Sequence, residues 1–146
     1  MRLVRLAPAL AAALAIAGCG SSQPAKTESA VVVGTGKRPV LTGSSAQRGQ
    51  QLYDEFGCGG CHSLDGTRLT GPTWKGLAGS TVHLSDGKTV VADETYLREH
   101  IVEPERWHVA GYPAGVMAQA TAELNLHKRP AEVADLVAFI ESLHNR

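Results

Sequence analysis

Cys58-Gly59-Gly60-Cys61-His62 is the stretch whose residue types and spacing most plainly spell out a chemistry. Two thiols separated by two residues on a tight turn can add across the two vinyl groups of one porphyrin, and the next residue offers an imidazole to the iron. With 3 cysteines and 6 histidines in 146 residues, the pattern would arise by chance in roughly three of a thousand such chains. A zinc site would want a second pair of thiols or imidazoles at ribbon or finger spacing, and the remaining cysteine is far away at position 19. A thioredoxin-like dithiol would want a preceding strand and a βαβ pattern, and neither is visible. The motif therefore predicts one covalently bound haem c, with Cys58 and Cys61 as thioether sites and His62 as an axial ligand of the iron.

Two further residues follow from that chemistry. A haem-ligating imidazole normally donates its free N–H to a carbonyl, which fixes the ring and raises its basicity. The Pro72 carbonyl, in Gly71-Pro72 about ten residues after His62, is the candidate; the alternative is a proline that serves only its turn. The sixth ligand is expected from Met117, the one methionine besides Met1. Its segment, Val109 to Ala120, contains Gly111, Pro113 and Gly115 and reads as a constrained loop. A methionine that only fills the core is the other reading, with His108, His127 or His100 ligating instead. His100 reads as a satisfied structural histidine on a helix face.

The elements that must position these residues can be read around them. Ser44-Ser45-Ala46-Gln47 fits a capping box, and Ala46, Gly49, Leu52, Tyr53 and Phe56 share one helical face before Gly57 stops the helix. That helix delivers Cys58. After His62, glycines and Pro72 predict a loop with one helical turn. Thr81 to Leu84 and Thr89 to Val91, joined through Ser85-Asp86-Gly87-Lys88, predict a hairpin inserted at the surface. Asp93 can cap a helix from Glu94 to about Glu103, with Tyr96, Leu97, His100 and Ile101 inward. Pro130 suits the start of a last helix whose stripe is Val133, Leu136, Val137, Ile140 and Leu143, with Phe139 beside it.

The start of the chain carries a different signal. A basic head with Arg2 and Arg5 precedes an Ala-rich apolar run from Leu6 to Ala17, too short for a comfortable membrane span, which reads as a secretory signal over residues 1–18. Ile16-Ala17-Gly18-Cys19 resembles the bacterial lipoprotein processing site, with Cys19 lipidated; the other reading is an ordinary leader and a stray thiol. Removing residues 1–18 takes Arg2 and Arg5 from 14 basic residues, leaving 12 against 14 acidic and a formal charge of −2. Nothing in that balance recommends nucleic acid, whose backbone demands clustered cations. Residues 19–43 read as a lipidated cysteine and flexible tether, in which Val31 to Val33 could instead pack as an extended arm. About 100 residues remain, 44–146, enough for one compact domain.

Taken together, the helix with Gly49 and Phe56, the CGGCH motif, Gly71-Pro72, the Met117 segment and the last helix with Phe139 resemble a class I cytochrome c. More narrowly, "GPTWKGLAGS", "TVHLSDGKTVVADETYLREHI" and "GYPAGVM" resemble the cytochrome c domain fused to subunit II of caa3-type cytochrome oxidases, although this chain has no copper-binding cupredoxin domain and no transmembrane hairpin. The resemblance implies an all-α class I cytochrome c fold, about three to five helices around one haem, with a small β-hairpin insert near residues 81–91. It favours the reading in which the missing side chain of Gly49 lets another helix approach closely over that of a merely tolerated glycine. It adds Trp74, where such domains usually carry leucine, to the residues around the haem. It also implies that uncharged residues, among them Gly59, Gly60, Ala114 and Val116, frame the exposed haem edge.

The function expected is an electron carrier rather than an enzyme: an exported, lipid-anchored monohaem protein on the outer face of the cell membrane or the periplasmic membrane surface. It would pass single electrons between respiratory-chain partners, a terminal oxidase among them, with no nucleic acid and no small-molecule substrate. Other readings are a haem subunit of an oxidoreductase complex, a haem peroxidase or sensor in which Met117 dissociates, and a haem-free structural lipoprotein.

Overall fold

Ser44 begins the first helix as its capping box requires: its hydroxyl accepts the Gln47 N–H at 3.4 Å, and the Gln47 side chain accepts the Ser44 N–H at 2.8 Å. The chain is seen here in a computed structural model that describes residues 40–144, so the leader, Cys19 and the Val31 to Val33 run lie outside the described residues. The order is α1 (Ser45–Glu55), a hairpin of β1 (Thr81–His83) and β2 (Thr89–Val91), α2 (Glu94–Val102), α3 (Val116–Glu123) and α4 (Pro130–Ser142). Single 3-10 turns stand at Cys58–Gly60, Pro104–Arg106 and Leu126–Lys128. Four α-helices and one two-stranded antiparallel sheet among the described residues give the mostly helical fold with a small hairpin that was expected.

α1 and α4 make the most extensive helix contact. Gly49 is the reason they can. A Cβ at Gly49 would lie 2.0 Å from the Asp135 carbonyl oxygen and 2.7 Å from Phe139 Cβ, so only glycine fits the crossing. Around it Leu52, Val133, Leu136, Phe139 and Ile140 are essentially excluded from water, each contributing roughly 1.5–3 kcal/mol of burial. Arg48 closes the rim of the crossing with a two-pronged bond to Asp135, at 2.8 and 2.6 Å, and the Ser45 hydroxyl donates to the same carboxylate.

Three expectations are corrected. The hairpin is not merely a surface insert: Val82 and Leu84 are buried, and the chain at β1 continues into contact with the segment beyond α2. There Leu84 bridges Val109, the Ser85 N–H donates to His108 O at 2.8 Å, and the Ala110 N–H donates to His83 O at 2.9 Å. The loop expected over Val109 to Ala120 ends early, because Gly115 at φ +81° reverses the chain and α3 starts at Val116, which puts Met117 in a helical first turn. The stretch after His62 forms hydrogen-bonded turns and no helix, since Gly71, Pro72 and Gly76 break any helical run.

Candidate functional site: an apolar cleft with two thiols and an imidazole

The end of α1 sets the first wall. Gly57, at φ +69°, turns the chain off the helix into the 3-10 turn Cys58–Gly60, where the Cys61 and His62 N–H groups both donate to the Cys58 carbonyl, at 3.1 and 2.9 Å. This turn presents Cys58 and Cys61 as free thiols. Burial pushes the Cys58 thiol up to about 11, so it stays uncharged. Beneath the turn the Tyr53 hydroxyl donates to His62 O at 2.7 Å. A Cβ at Gly59 would lie 2.8 Å from that hydroxyl, which gives one glycine of the motif a packing reason.

His62 is buried, and its Nδ1 lies 2.7 Å from the Pro72 carbonyl. A carbonyl only accepts, so Nδ1 carries the proton and Nε2 keeps its lone pair. Burial pulls the ring's pKa below its ordinary value, against the opposing effect of the Pro72 bond, which favours the neutral form a metal requires. Gly71 lies flat against the ring: a Cβ there would meet His62 Cε1 at 2.5 Å. Trp74, 4% exposed, packs on the imidazole with centroids 5.3 Å apart, and touches Tyr53 and Phe139 on its other sides.

Cys58, Cys61, His62, Gly71, Pro72 and Trp74 line a cleft of about 1040 Å³, part of it open to solvent, whose walls also include His100, Val116, Met117 and Leu136. The structure thus brings Cys58, Cys61, His62, Pro72, Trp74 and Met117 to one cavity. His127, an alternative ligand, does not line it, whereas His108 and His100 do. The reading of His100 as a satisfied histidine is corrected: its Nδ1 is buried with no hydrogen-bond partner, although the ring stacks on Tyr96 at 5.3 Å. Burial holds its pKa down at about 4, so the ring is neutral. An orphaned buried nitrogen beside a large apolar cleft fits a site shaped for a bulky group that brings polar atoms or a metal with it.

Two contributors were not singled out from the sequence. Tyr53 was read only as part of a helix face, and its hydroxyl gave no sign of reaching His62. Glu105 accepts the Gly115 N–H at 2.9 Å and lies 2.7 Å from His108 Nε2. The Glu105–His108 spacing is a signal that could have found half of that arrangement.

A thiol pair on a turn, a neutral oriented imidazole and a thioether around one apolar cleft are the groups that covalent attachment and ligation of a haem would call for. The sequence model of the cytochrome c family matches residues 46–144, and the chain belongs to that family. Its members are electron carriers that bind covalently attached haem c and meet redox protein partners. A search of curated proteins finds no match.

Proposed function

We propose that Cys58 and Cys61 form the two thioethers to the haem, that His62 and Met117 are its axial ligands, and that the protein carries single electrons between respiratory partners as a lipid-anchored cytochrome. The observation that carries the reading is the convergence of Cys58, Cys61, His62 and Met117 on one cleft. When bound, the haem iron supplies a one-electron couple between its ferrous and ferric states.

The chain's own residues set how that couple behaves. Pro72 holds the imidazole through Nδ1 and leaves Nε2 for the metal. Trp74 packs on the same ring and keeps water from it. A neutral thioether from Met117 disfavours the ferric state relative to a second imidazole, so the potential is comparatively high. Two protein ligands that serve both oxidation states leave little to rearrange and no open position for a substrate. Gly57, Ala114 and Val116 are exposed, uncharged and line the cleft, and it is beside them that a partner's cofactor approaches.

Export and anchoring rest on residues 1–19, with Cys19 as the lipidated residue and the following segment as tether. No helix among the described residues is long and apolar enough to cross a membrane. The likeness to the domain fused to caa3-type oxidase subunits supports a terminal oxidase as one acceptor.

Met117→Ala tests the ligand assignment. The haem stays attached, because attachment depends on Cys58 and Cys61, while the spectrum turns partly high-spin and the potential falls, with each 59 mV equal to about 1.4 kcal/mol for one electron. A low-spin six-coordinate spectrum and a potential both unchanged from wild type in this variant remove Met117 from the iron and promote His100 or His108.

A further inference from the structure

Glu105 lies in the 3-10 turn Pro104–Arg106 that follows α2, and its carboxylate reaches two points in the next ten residues. One oxygen accepts the Gly115 N–H at 2.9 Å; the other lies 2.7 Å from His108 Nε2. Gly115 is the N-cap residue of α3, has no side chain to cap that helix, and stands two residues before Met117. A single side chain therefore closes both ends of the segment 108–115.

The rest of that segment is tied down from elsewhere. Its start is held to the hairpin edge through Ser85 and His83, and its middle by Arg68, which donates to the Gly111 carbonyl and lies over the Tyr112 ring at 4.4 Å. At its end, where the chain enters the first turn of α3, the tie is Glu105. A carboxylate on an N-terminal N–H is favoured both by charge-assisted hydrogen bonding and by the helix dipole. The His108 ring and the Gly115 N–H hold the Glu105 carboxyl below its usual range, so it stays ionised.

We propose that Glu105 is a positioning residue for the sixth iron ligand: braced by His108, it caps α3 from outside and holds the Met117 thioether in the cleft. The inference rests on Met117 being that ligand. Without the carboxylate, the first turn of α3 has no side-chain cap, and that turn carries the thioether.

Added imidazole competes with a thioether for ferric iron, so its affinity for the haem-loaded protein reports how firmly Met117 is held. Glu105→Ala is expected to bind imidazole about five- to tenfold more tightly than wild type, the size of a lost helix cap. Glu105→Gln, which keeps an acceptor oxygen for Gly115, is expected between the two, and His108→Phe is expected to loosen the ligand by a smaller factor. A merely structural role would lower the unfolding midpoint of Glu105→Ala and leave imidazole affinity at the wild-type value. If Glu105→Ala does not accumulate, Glu105→Gln and His108→Phe carry the comparison. Wild-type affinity in these variants, alongside much tighter binding by Met117→Ala, overturns the positioning role alone. Wild-type affinity in Met117→Ala itself overturns the ligand assignment, and the positioning role with it.

Discussion

Gly71 illustrates how closely backbone and imidazole approach at this site. Its absent Cβ would lie 2.5 Å from His62 Cε1 and 2.8 Å from Nδ1. Gly71→Ala must therefore push the ring and stretch the bond to Pro72. We expect the haem-loaded protein to lose about 1–3 kcal/mol in chemical denaturation and its potential to shift, because the ligand's orientation and basicity change together. Wild-type stability and potential in this variant would mean that the ring is not held as described. At this scale much was legible in the sequence. Haem attachment restricts residue types so strongly that Cys58, Cys61 and His62 stand out as candidates, and the need for a carbonyl to hold the imidazole and for a soft ligand leads on to Pro72 and Met117; the structure brings all five to one cleft. Tyr53 and Glu105 were not legible as site residues, because each acts through a backbone group that only the folded chain brings within reach. The helical face of His100 is legible as well, but not that burial leaves its Nδ1 without a partner.

Between elements, the α1 and α4 crossing fixes the wall that carries the thiols. Asp135 is drawn below its ordinary 3.8 first by the hydrogen bond from Arg48 and further by the Ser45 hydroxyl, against the opposing effect of its own burial. A carboxyl depressed in the folded state stabilises the fold above its unfolded pKa, and that contribution is lost as pH falls through the folded value. Asp135→Asn is accordingly expected to be less stable than wild type at pH 7 and to lose less stability between pH 4 and pH 2. Parallel acid limbs for the two proteins in pH-dependent denaturation would show that the Arg48 pair contributes nothing to the crossing. The capping signals of α1 and α2 and the Pro130 start of α4 could be read directly, since each is a local rule. α3 could not. It has eight residues, no side-chain cap of its own, and a glycine at φ +81° before it, so its sequence looks like the continuation of a loop. The hairpin was found from its turn, whereas its edge pairing with residues 108–110 depends on tertiary proximity that no local pattern encodes.

For the whole molecule, the proposed division of labour is a haem domain that exchanges electrons and a lipid that supplies membrane affinity. Cys19→Ser is expected to yield a soluble, red, redox-competent protein, with an unchanged potential but slower turnover at low carrier levels, because a tether raises the effective concentration near a membrane partner. Tight membrane binding by this variant after fractionation would contradict the anchor. The central claim is that His62 and Met117 close the iron to exogenous ligands while electrons pass. Exposure of the reduced protein to carbon monoxide tests this most directly. The account predicts an unchanged six-coordinate spectrum for the wild type and a carbon monoxide adduct for Met117→Ala; prompt formation of the adduct by the wild-type protein would contradict it.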